Sequence, residues 1–140
     1  IFADLRYENE YPVSFSLEIS GSTNIQSDKY RMDTLLKNVI GNAVKYRNPE
    51  VQEHRVKVYI SSKNNQHVIR VSDNGTGISD KSMPKIFDMF YRGSSSVSGT
   101  GLGLYICREI VVRLQGTVEV ESALGKGSTF TLTVPSAYLV

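Results

Sequence analysis

The 140-residue sequence contains a single cysteine, two histidines and nearly equal numbers of basic and acidic residues. Because Cys107 is the only cysteine, an internal disulfide is excluded, and a reducing, cytoplasmic location is expected. His54 and His67 do not complete a zinc-type spacing with it, and we interpret both as ordinary polar residues. No stretch approaches the roughly 20 apolar residues of a membrane-spanning helix. A formal charge of +2 gives no reason to expect nucleic-acid binding.

The start of the chain also lacks an initiating methionine and a basic region before an apolar stretch. No signal peptide is therefore predicted, and the sequence is expected to be a fragment of a longer protein, which could be membrane-anchored elsewhere. Residues 1–9 are expected to end a helix that starts upstream. The length and the 40% hydrophobic content fit one folded domain over residues 1–140. We expect this fragment to be monomeric.

Apolar and polar residues alternate in several segments and follow a helical period in others. The predicted strands are 13–19, 55–62, 67–72, 117–121 and 128–134. The predicted helices are 27–46, capped by Ser27 or Asp28, an irregular stretch at 82–90, and 102–114. Strands that pair with strands, with helices between them, indicate an α+β two-layer sandwich with a mixed sheet of about five strands on about three helices.

Two amides and a lysine share one side of the first long predicted helix. Asn38, Asn42 and Lys45 are spaced i, i+4 and i+7, beside the apolar face. An amide oxygen is a hard, neutral ligand suited to Mg²⁺, and a lysine can approach an anionic oxygen. The alternative is a solvated helix flank.

Residues 71–78, Val-Ser-Asp-Asn-Gly-Thr-Gly-Ile, follow a predicted strand. The carboxylate of Asp73 can accept hydrogen bonds, for example from an exocyclic amine. Gly75 and Gly77 would let a planar ligand lie against the backbone. The alternative is a plain Asn-Gly turn.

A glycine-rich segment, Gly99-Thr100-Gly101-Leu102-Gly103-Leu104, opens the last predicted helix. Free N–H groups at a helix start, exposed by glycines, favour a bound phosphate. The spacing matches neither the P-loop nor the Rossmann pattern, and a flexible hinge is the alternative. In the preceding segment 86–93, we interpret Phe87 and Phe90 as core residues, while Arg92 could reach a terminal phosphate.

Taken in order, these segments resemble the ATP-binding catalytic domain of sensor histidine kinases, in the superfamily that also contains gyrase, Hsp90 and MutL. Residues 35–46, 73–78, 86–92 and 99–104 resemble its N, G1, F and G2 boxes, and 125–130 resembles its trailing Gly-x-Gly-x-x-Phe element. The resemblance covers nearly the whole chain. It implies a Bergerat-type fold that holds ATP between the N-box helix and a flexible lid, here 93–98.

The resemblance also implies roles for individual residues. Asp73 would accept a hydrogen bond from the adenine amine, and Asn42 would bind Mg²⁺ with help from Asn38. The residues expected to act in catalysis are Asn38, Asn42, Lys45 and Arg92. The residues expected to contact the nucleotide are these four and Tyr46, Asp73, Gly75, Gly77, Ile78, Phe87, Gly99, Thr100, Gly101, Leu102, Gly103, Leu104 and Thr129.

The position that carries a water-activating Glu in hydrolytic members of the superfamily is Asn38 here, and an amide cannot take a proton at neutral pH. The resemblance therefore implies a protein-histidine kinase that passes the γ-phosphoryl group of Mg-ATP to a histidine on a separate dimerisation and phosphoacceptor domain, for relay to a response regulator. The alternatives are a degenerate nucleotide-binding scaffold, an anti-sigma-type serine kinase or an ATPase. The sequence departs from the family pattern at Arg47, where Ser or Thr is common, and in its short lid.

Overall fold

The computed structural model describes residues 12–22, 24–93 and 99–137. Its elements, in chain order, are β1 (Val13–Gly21), α1 (Lys29–Lys45), β2 (His54–Lys63), β3 (Gln66–Asp73), a 3₁₀ turn (Met83–Lys85), α2 (Gly103–Arg113), β4 (Thr117–Ala123) and β5 (Gly127–Pro135). The α+β class and the mixed five-stranded sheet are confirmed. The predicted helix end at 1–9 lies outside the described residues, as does most of the predicted lid.

The sheet has the order β1-β2-β3-β5-β4. β1 and β2 are parallel, and the other neighbours are antiparallel. Asn64 and Asn65 connect β2 to β3 with φ values of 53° and 59°. Asparagine tolerates this left-handed conformation, which matches the twist of the strands it joins.

The irregular helix predicted at 82–90 is largely absent, since only Met83–Lys85 form a 3₁₀ turn. Pro84 fits the first turn of a helix but donates no N–H. Phe90 has a φ of 64°, a left-handed conformation that cannot continue a right-handed helix. Its side chain is 66% exposed, so the interpretation of Phe90 as a core residue is wrong. The described residues therefore contain two α-helices instead of about three.

The core lies between the sheet and the two helices. Alternate strand residues point inwards and meet the apolar side of α1 and α2. The fully buried members include Leu35, Val39, Val56, Val58, Ile69, Val71, Cys107, Val111, Phe130, Leu132 and Val134. Burial raises the pKa of Cys107 to about 12, so its thiol stays protonated at neutral pH, as expected for a small buried hydrophobe.

Helix α1 is fixed at both ends. Its N-cap is Asp28, whose side chain accepts a hydrogen bond from the N–H of Arg31 at 3.0 Å. At the other end, the carbonyl of Ala43 lies 3.0 Å from Nε2 of His54, and the carbonyl of Tyr46 accepts from the N–H of Thr76 at 2.9 Å. Carbonyls that the helix leaves unpaired are thus bonded to neighbouring elements. In the described part of the chain, neither helix is long and apolar enough to cross a membrane.

Candidate functional site

A cavity of about 1040 Å³ opens between α1, the loop after β3 and the start of α2. The volume is of the size that accommodates a nucleotide-sized ligand. Its walls include the following residues from the sequence-predicted set: Asn38, Asn42, Lys45, Tyr46, Asp73, Gly77, Ile78, Arg92, Gly99, Thr100, Gly101, Gly103 and Leu104. Segments that are far apart in the sequence therefore meet around one concave space.

The polar stripe of α1 forms one wall and faces the glycine-rich segment. Nδ2 of Asn38 donates to the carbonyl of Thr34 at 2.9 Å, which fixes the amide plane. Oδ1 of Asn38 then lies 3.1 Å from the position that a Cβ atom would take on Gly103, and Nζ of Lys45 lies 3.8 Å from the corresponding position on Gly99. Helix α2 thus starts opposite the Asn38 amide, and the Lys45 ammonium group lies opposite Gly99 in the segment before it.

Asp73, the last residue of β3, lies in the cavity wall between the sheet and the following loop. Its Oδ1 accepts a hydrogen bond from the N–H of Gly75 at 2.8 Å. Burial raises the pKa of Asp73, because it removes water from the carboxylate; hydrogen bonds from Gly75 and Ser128 and the charge of His54 oppose that effect. A partly desolvated carboxylate next to a ligand cavity is a strong hydrogen-bond acceptor.

The loop after Asp73 is held by close backbone approach on two sides. A Cβ atom on Gly75 would collide with the carbonyl oxygen of Tyr46, and one on Gly77, where φ is 70°, would collide with that of Ala123. The N–H of Gly125 also donates to the carbonyl of Thr76 at 2.7 Å. These contacts join the loop to the end of α1 and to the β4–β5 turn, so only glycine fits at both positions.

Basic side chains outnumber acidic ones in the described part of the cavity wall. Four basic residues and one acidic residue are found among the described residues that line the cavity: Lys37, Lys45, Arg47 and Arg92, and Asp73. Apolar side chains complete the wall, including Val44, Ile78, Ile86, Leu104 and Leu124. This arrangement suits a ligand with an apolar, amine-bearing part and a strongly anionic part.

Four residues of the predicted set do not line this cavity. Gly75 packs against the end of α1. The carbonyl of Leu102 accepts a hydrogen bond from the N–H of Ile106 in the first turn of α2. Phe87 packs against the core and lies 6.0 Å from the guanidinium carbon of Arg108. Thr129 pairs with Ser72 through a 2.9 Å hydroxyl contact on the outer face of the sheet, because β5 alternates and turns Ser128 inwards instead.

Several wall residues were missed by sequence reasoning, and His54 is the most informative of them. Its side chain is 1% exposed and lines the cavity, so it is not an ordinary polar surface residue. The signal was present in the sequence, since His54, Val56 and Val58 alternate with charged residues and must point to the same side of β2. His67 is equally buried, but its ring nitrogens contact the hydroxyls of Ser62 and Ser136 elsewhere.

Comparison with known proteins identifies the family of the chain. Residues 27–138 match the family model described as "Histidine kinase-, DNA gyrase B-, and HSP90-like ATPase". The sensor protein SrrB of Staphylococcus aureus is 35% identical over 112 residues, which cover 77% of this chain and 19% of that protein. The chain therefore spans about a fifth of the length of the curated relatives it matches.

Two solved structures illustrate the likeness in fold. The mycobacterial sensor histidine kinase MprB superposes with a TM-score of 0.80 at 22% identity, covering 99% of this chain and 91% of that chain. Full-length ShkA, solved in complex with AMPPNP, gives a TM-score of 0.80 at 26% identity, covering 99% of this chain and 28% of that chain. The chain belongs to the histidine kinase-, DNA gyrase B- and HSP90-like ATPase family and is an ATP-binding catalytic domain of the sensor histidine kinase type.

Proposed function

We propose that this domain binds Mg-ATP in the cavity and transfers the γ-phosphoryl group to a histidine on a separate dimerisation and phosphoacceptor domain. The observation that carries the proposal is the meeting of Asp73, the Asn38–Lys45 stripe and the glycine-rich segment around one cavity. The whole protein would then pass the phosphoryl group to the receiver domain of a response regulator.

The adenine would occupy the end of the cavity next to Asp73. The carboxylate accepts hydrogen bonds from Gly75 and Ser128, and because its two oxygens offer about four lone pairs it can also accept from the exocyclic amine. Ile78 and Leu104 supply apolar surface for the faces of the ring. Burial that strengthens this acceptor also excludes competing water.

The triphosphate would extend towards the basic wall. Gly99 and Gly103 lack side chains where the chain approaches Lys45 and Asn38, so backbone N–H groups at the start of α2 can face anionic oxygens. Lys45 and Arg92 would add positive charge, and Tyr46 would approach the ribose or the phosphates. These groups act by position and charge, which is most of what phosphoryl transfer requires.

The residues present fit Mg²⁺ through oxygen donors of the kind this ion prefers. Among residues 12–22, 24–93 and 99–137, no group of three or more His, Cys, Asp or Glu side chains could hold a metal. Asn42 and Asn38 line the cavity and would supply the amide oxygens, and a Cβ atom on Gly103 would press on the Asn38 oxygen. Mg²⁺ typically combines one or two protein oxygens with phosphate oxygens. Bound there, it would neutralise charge that develops on the phosphates.

The same wall explains why transfer would dominate over hydrolysis. Asn38 faces the start of α2 and occupies the position at which hydrolytic relatives carry a Glu. An amide does not remove a proton from water at neutral pH. His54 and His67, the two histidines of the chain, are buried in strands. Neither is accessible as an acceptor, so the phosphorylated histidine would belong to another domain.

Labelled ATP tests the proposal directly. The chain would be mixed with a phosphoacceptor hairpin from the parent protein, with γ-labelled ATP and Mg²⁺. We expect acid-labile label on the hairpin histidine. Acid-stable label on a partner serine would indicate an anti-sigma-type kinase, and free phosphate alone would indicate an ATPase. Tight binding without any turnover would indicate a scaffold, and each of these three outcomes would overturn the proposal.

A further inference from the structure

His54 contributes a buried polar atom that no described residue satisfies. The residue opens β2 and is 1% exposed, yet it forms part of the cavity wall. Its Nε2 lies 3.0 Å from the carbonyl of Ala43, whereas its Nδ1 is buried and has no hydrogen-bond partner among the described residues. Buried polar atoms are nearly always paired, so this atom needs an explanation.

The contact with Ala43 determines what Nδ1 can do. A carbonyl oxygen only accepts hydrogen bonds, so Nε2 must carry the proton. In the neutral ring, Nδ1 then has a bare lone pair and acts as an acceptor. Nδ1 is almost closed to solvent, so a partner in the cavity reaches it only through a small shift of the surrounding wall when the base binds.

Strand register brings His54 next to Asp73. Val56 lies directly opposite Asp73 in the antiparallel β2–β3 pair, and His54 precedes Val56 by two residues on the same face. His54 and Asp73 are therefore diagonal neighbours, a relationship that places Cβ atoms within roughly 7–8 Å, in reach of an aromatic side chain.

We propose that His54 is a specificity-determining residue for the nucleotide base, in which Nδ1 serves as a second acceptor, beside Asp73, for the exocyclic amine of a 6-aminopurine. This inference rests on the proposed function, since it assumes that the base lies at the Asp73 end of the cavity. It adds to the proposed role of Asp73 a second group that reads the same edge of the base.

The selectivity follows in either possible contact geometry. If the amine reaches Nδ1 directly, a 6-oxopurine would place its oxygen against the lone pair, and neither Nδ1 nor Asp73 would receive a hydrogen bond from that position of the base. If one water lies between Nδ1 and the Asp73 carboxylate, both its protons are committed to these acceptors. That water then offers only a lone pair to the base, which again favours an N–H donor.

Two amide variants separate the two nitrogens of the ring. His54→Gln keeps a donor near the Nε2 position for Ala43 and loses the acceptor at Nδ1. His54→Asn keeps an acceptor near Nδ1 and loses the bond to Ala43. We would measure the Kd of ADP and of IDP, its 6-oxo counterpart, by calorimetry with Mg²⁺, and the melting temperature of each variant.

We expect His54→Gln to reduce the ratio of IDP Kd to ADP Kd by roughly fivefold, the effect of one lost hydrogen bond, with little change in melting temperature. His54→Asn should melt lower and keep the ratio close to that of the wild type. The control His67→Gln removes the other buried histidine and should leave the ratio unchanged. An unchanged ratio in His54→Gln, or an equal loss in both His54 variants, would overturn the inference.

A measurement on the unaltered chain covers the case in which the variants do not fold. The ¹⁵N resonance of His54 Nδ1 should shift when ADP is added and shift much less with IDP. A resonance that responds equally to both would contradict the inference. If the wild-type chain binds neither nucleotide, the proposed function fails as well; if it binds ADP in preference to IDP and His54 does not matter, only this inference fails.

Discussion

The backbone N–H of Phe90 donates a hydrogen bond to the carbonyl of Gly101 at 3.0 Å. This bond joins the two ends of the segment 91–100, which contains the predicted lid. Gly101 has a φ of 74°, and a Cβ atom there would lie 2.7 Å from the carbonyl carbon of Phe90. Phe90 is itself left-handed at 64°. The base of the segment is thus fixed by a contact that tolerates no side chain at Gly101.

Gly101→Ala should therefore weaken nucleotide binding. The methyl group would force Phe90 and Gly101 apart and shift the N–H groups before α2, while the left-handed φ adds strain. We expect at least a tenfold increase in the Kd of ADP, measured by calorimetry. The matched control is Gly125→Ala, which has a φ of 79° and no neighbour within 4 Å of the added Cβ. If both variants raised the Kd of ADP equally, the loss of binding would come from the strain of a left-handed alanine and not from the contact with Phe90.

Gly103→Ala should separate stability from binding. Gly103 is helical, so alanine raises helix propensity by up to about 1 kcal/mol. Its Cβ would, however, lie 3.1 Å from Oδ1 of Asn38, close enough to displace the amide. We expect an unchanged or higher melting temperature together with weaker Mg²⁺-dependent ADP binding. In Gly93→Ala the new Cβ meets nothing closer than 3.8 Å, and Mg²⁺ dependence should be retained.

Asp73→Asn should stabilise the free domain while it weakens ADP binding. Burial raises the pKa of Asp73 in the folded state, so the folded chain holds this proton more tightly than the unfolded chain. Stability is therefore lost as pH rises from the ordinary aspartate range, about 4, through the raised pKa. Above the raised pKa the carboxylate is ionised and the penalty is complete, so in that range the Asn variant should melt higher than the wild type.

The pH dependence distinguishes this explanation from a general change in packing. The difference in melting temperature should shrink as pH falls and disappear once Asp73 is protonated in both states. ADP binding by the wild type should weaken on acidification at a higher pH than for an ordinary aspartate, and the Asn variant should lack that step. Parallel stability curves for the two proteins would contradict the assigned cause.

The sequence predicted the strands and the two α-helices well because their periodicity reflects local geometry. Asp28, for example, is an effective N-cap in any context with a following helical stripe. The 82–90 region was misjudged because its backbone forms turns held by contacts such as the Phe90–Gly101 hydrogen bond, which local propensity does not encode. His54 was missed for a similar reason: its partner, Ala43, belongs to a helix 11 residues earlier. The alternation of residues along β2 indicates that the His54 side chain points inwards, but it does not reveal the cavity that this side chain lines.

Asn42→Asp should change the Mg²⁺ dependence of nucleotide binding. The substitution keeps the shape of the side chain and adds a negative charge in the cavity wall. Without Mg²⁺ the charge would repel the phosphates, and with Mg²⁺ it would strengthen metal ligation. We expect a larger ratio of the ADP Kd without Mg²⁺ to the Kd with Mg²⁺. Asn24→Asp adds the same charge at an exposed site outside this cavity and should leave the ratio as it is; an identical ratio in Asn42→Asp would exclude Asn42 as a ligand.

Arg92→Ala should impair phosphoryl transfer more than it impairs ADP binding. Arg92 lines the cavity and lies next to Gly93, at the entry to the predicted lid. A guanidinium at this position would meet the terminal phosphate, which ADP lacks, and would stabilise charge that develops during transfer. We expect the ADP Kd to change less than threefold, while the rate of label transfer to the acceptor histidine falls by roughly 100-fold. Arg92→Lys should recover part of the rate, since it restores charge without the bidentate geometry. Equal losses of ADP binding and transfer in Arg92→Ala would instead indicate a structural role for this side chain in the hinge.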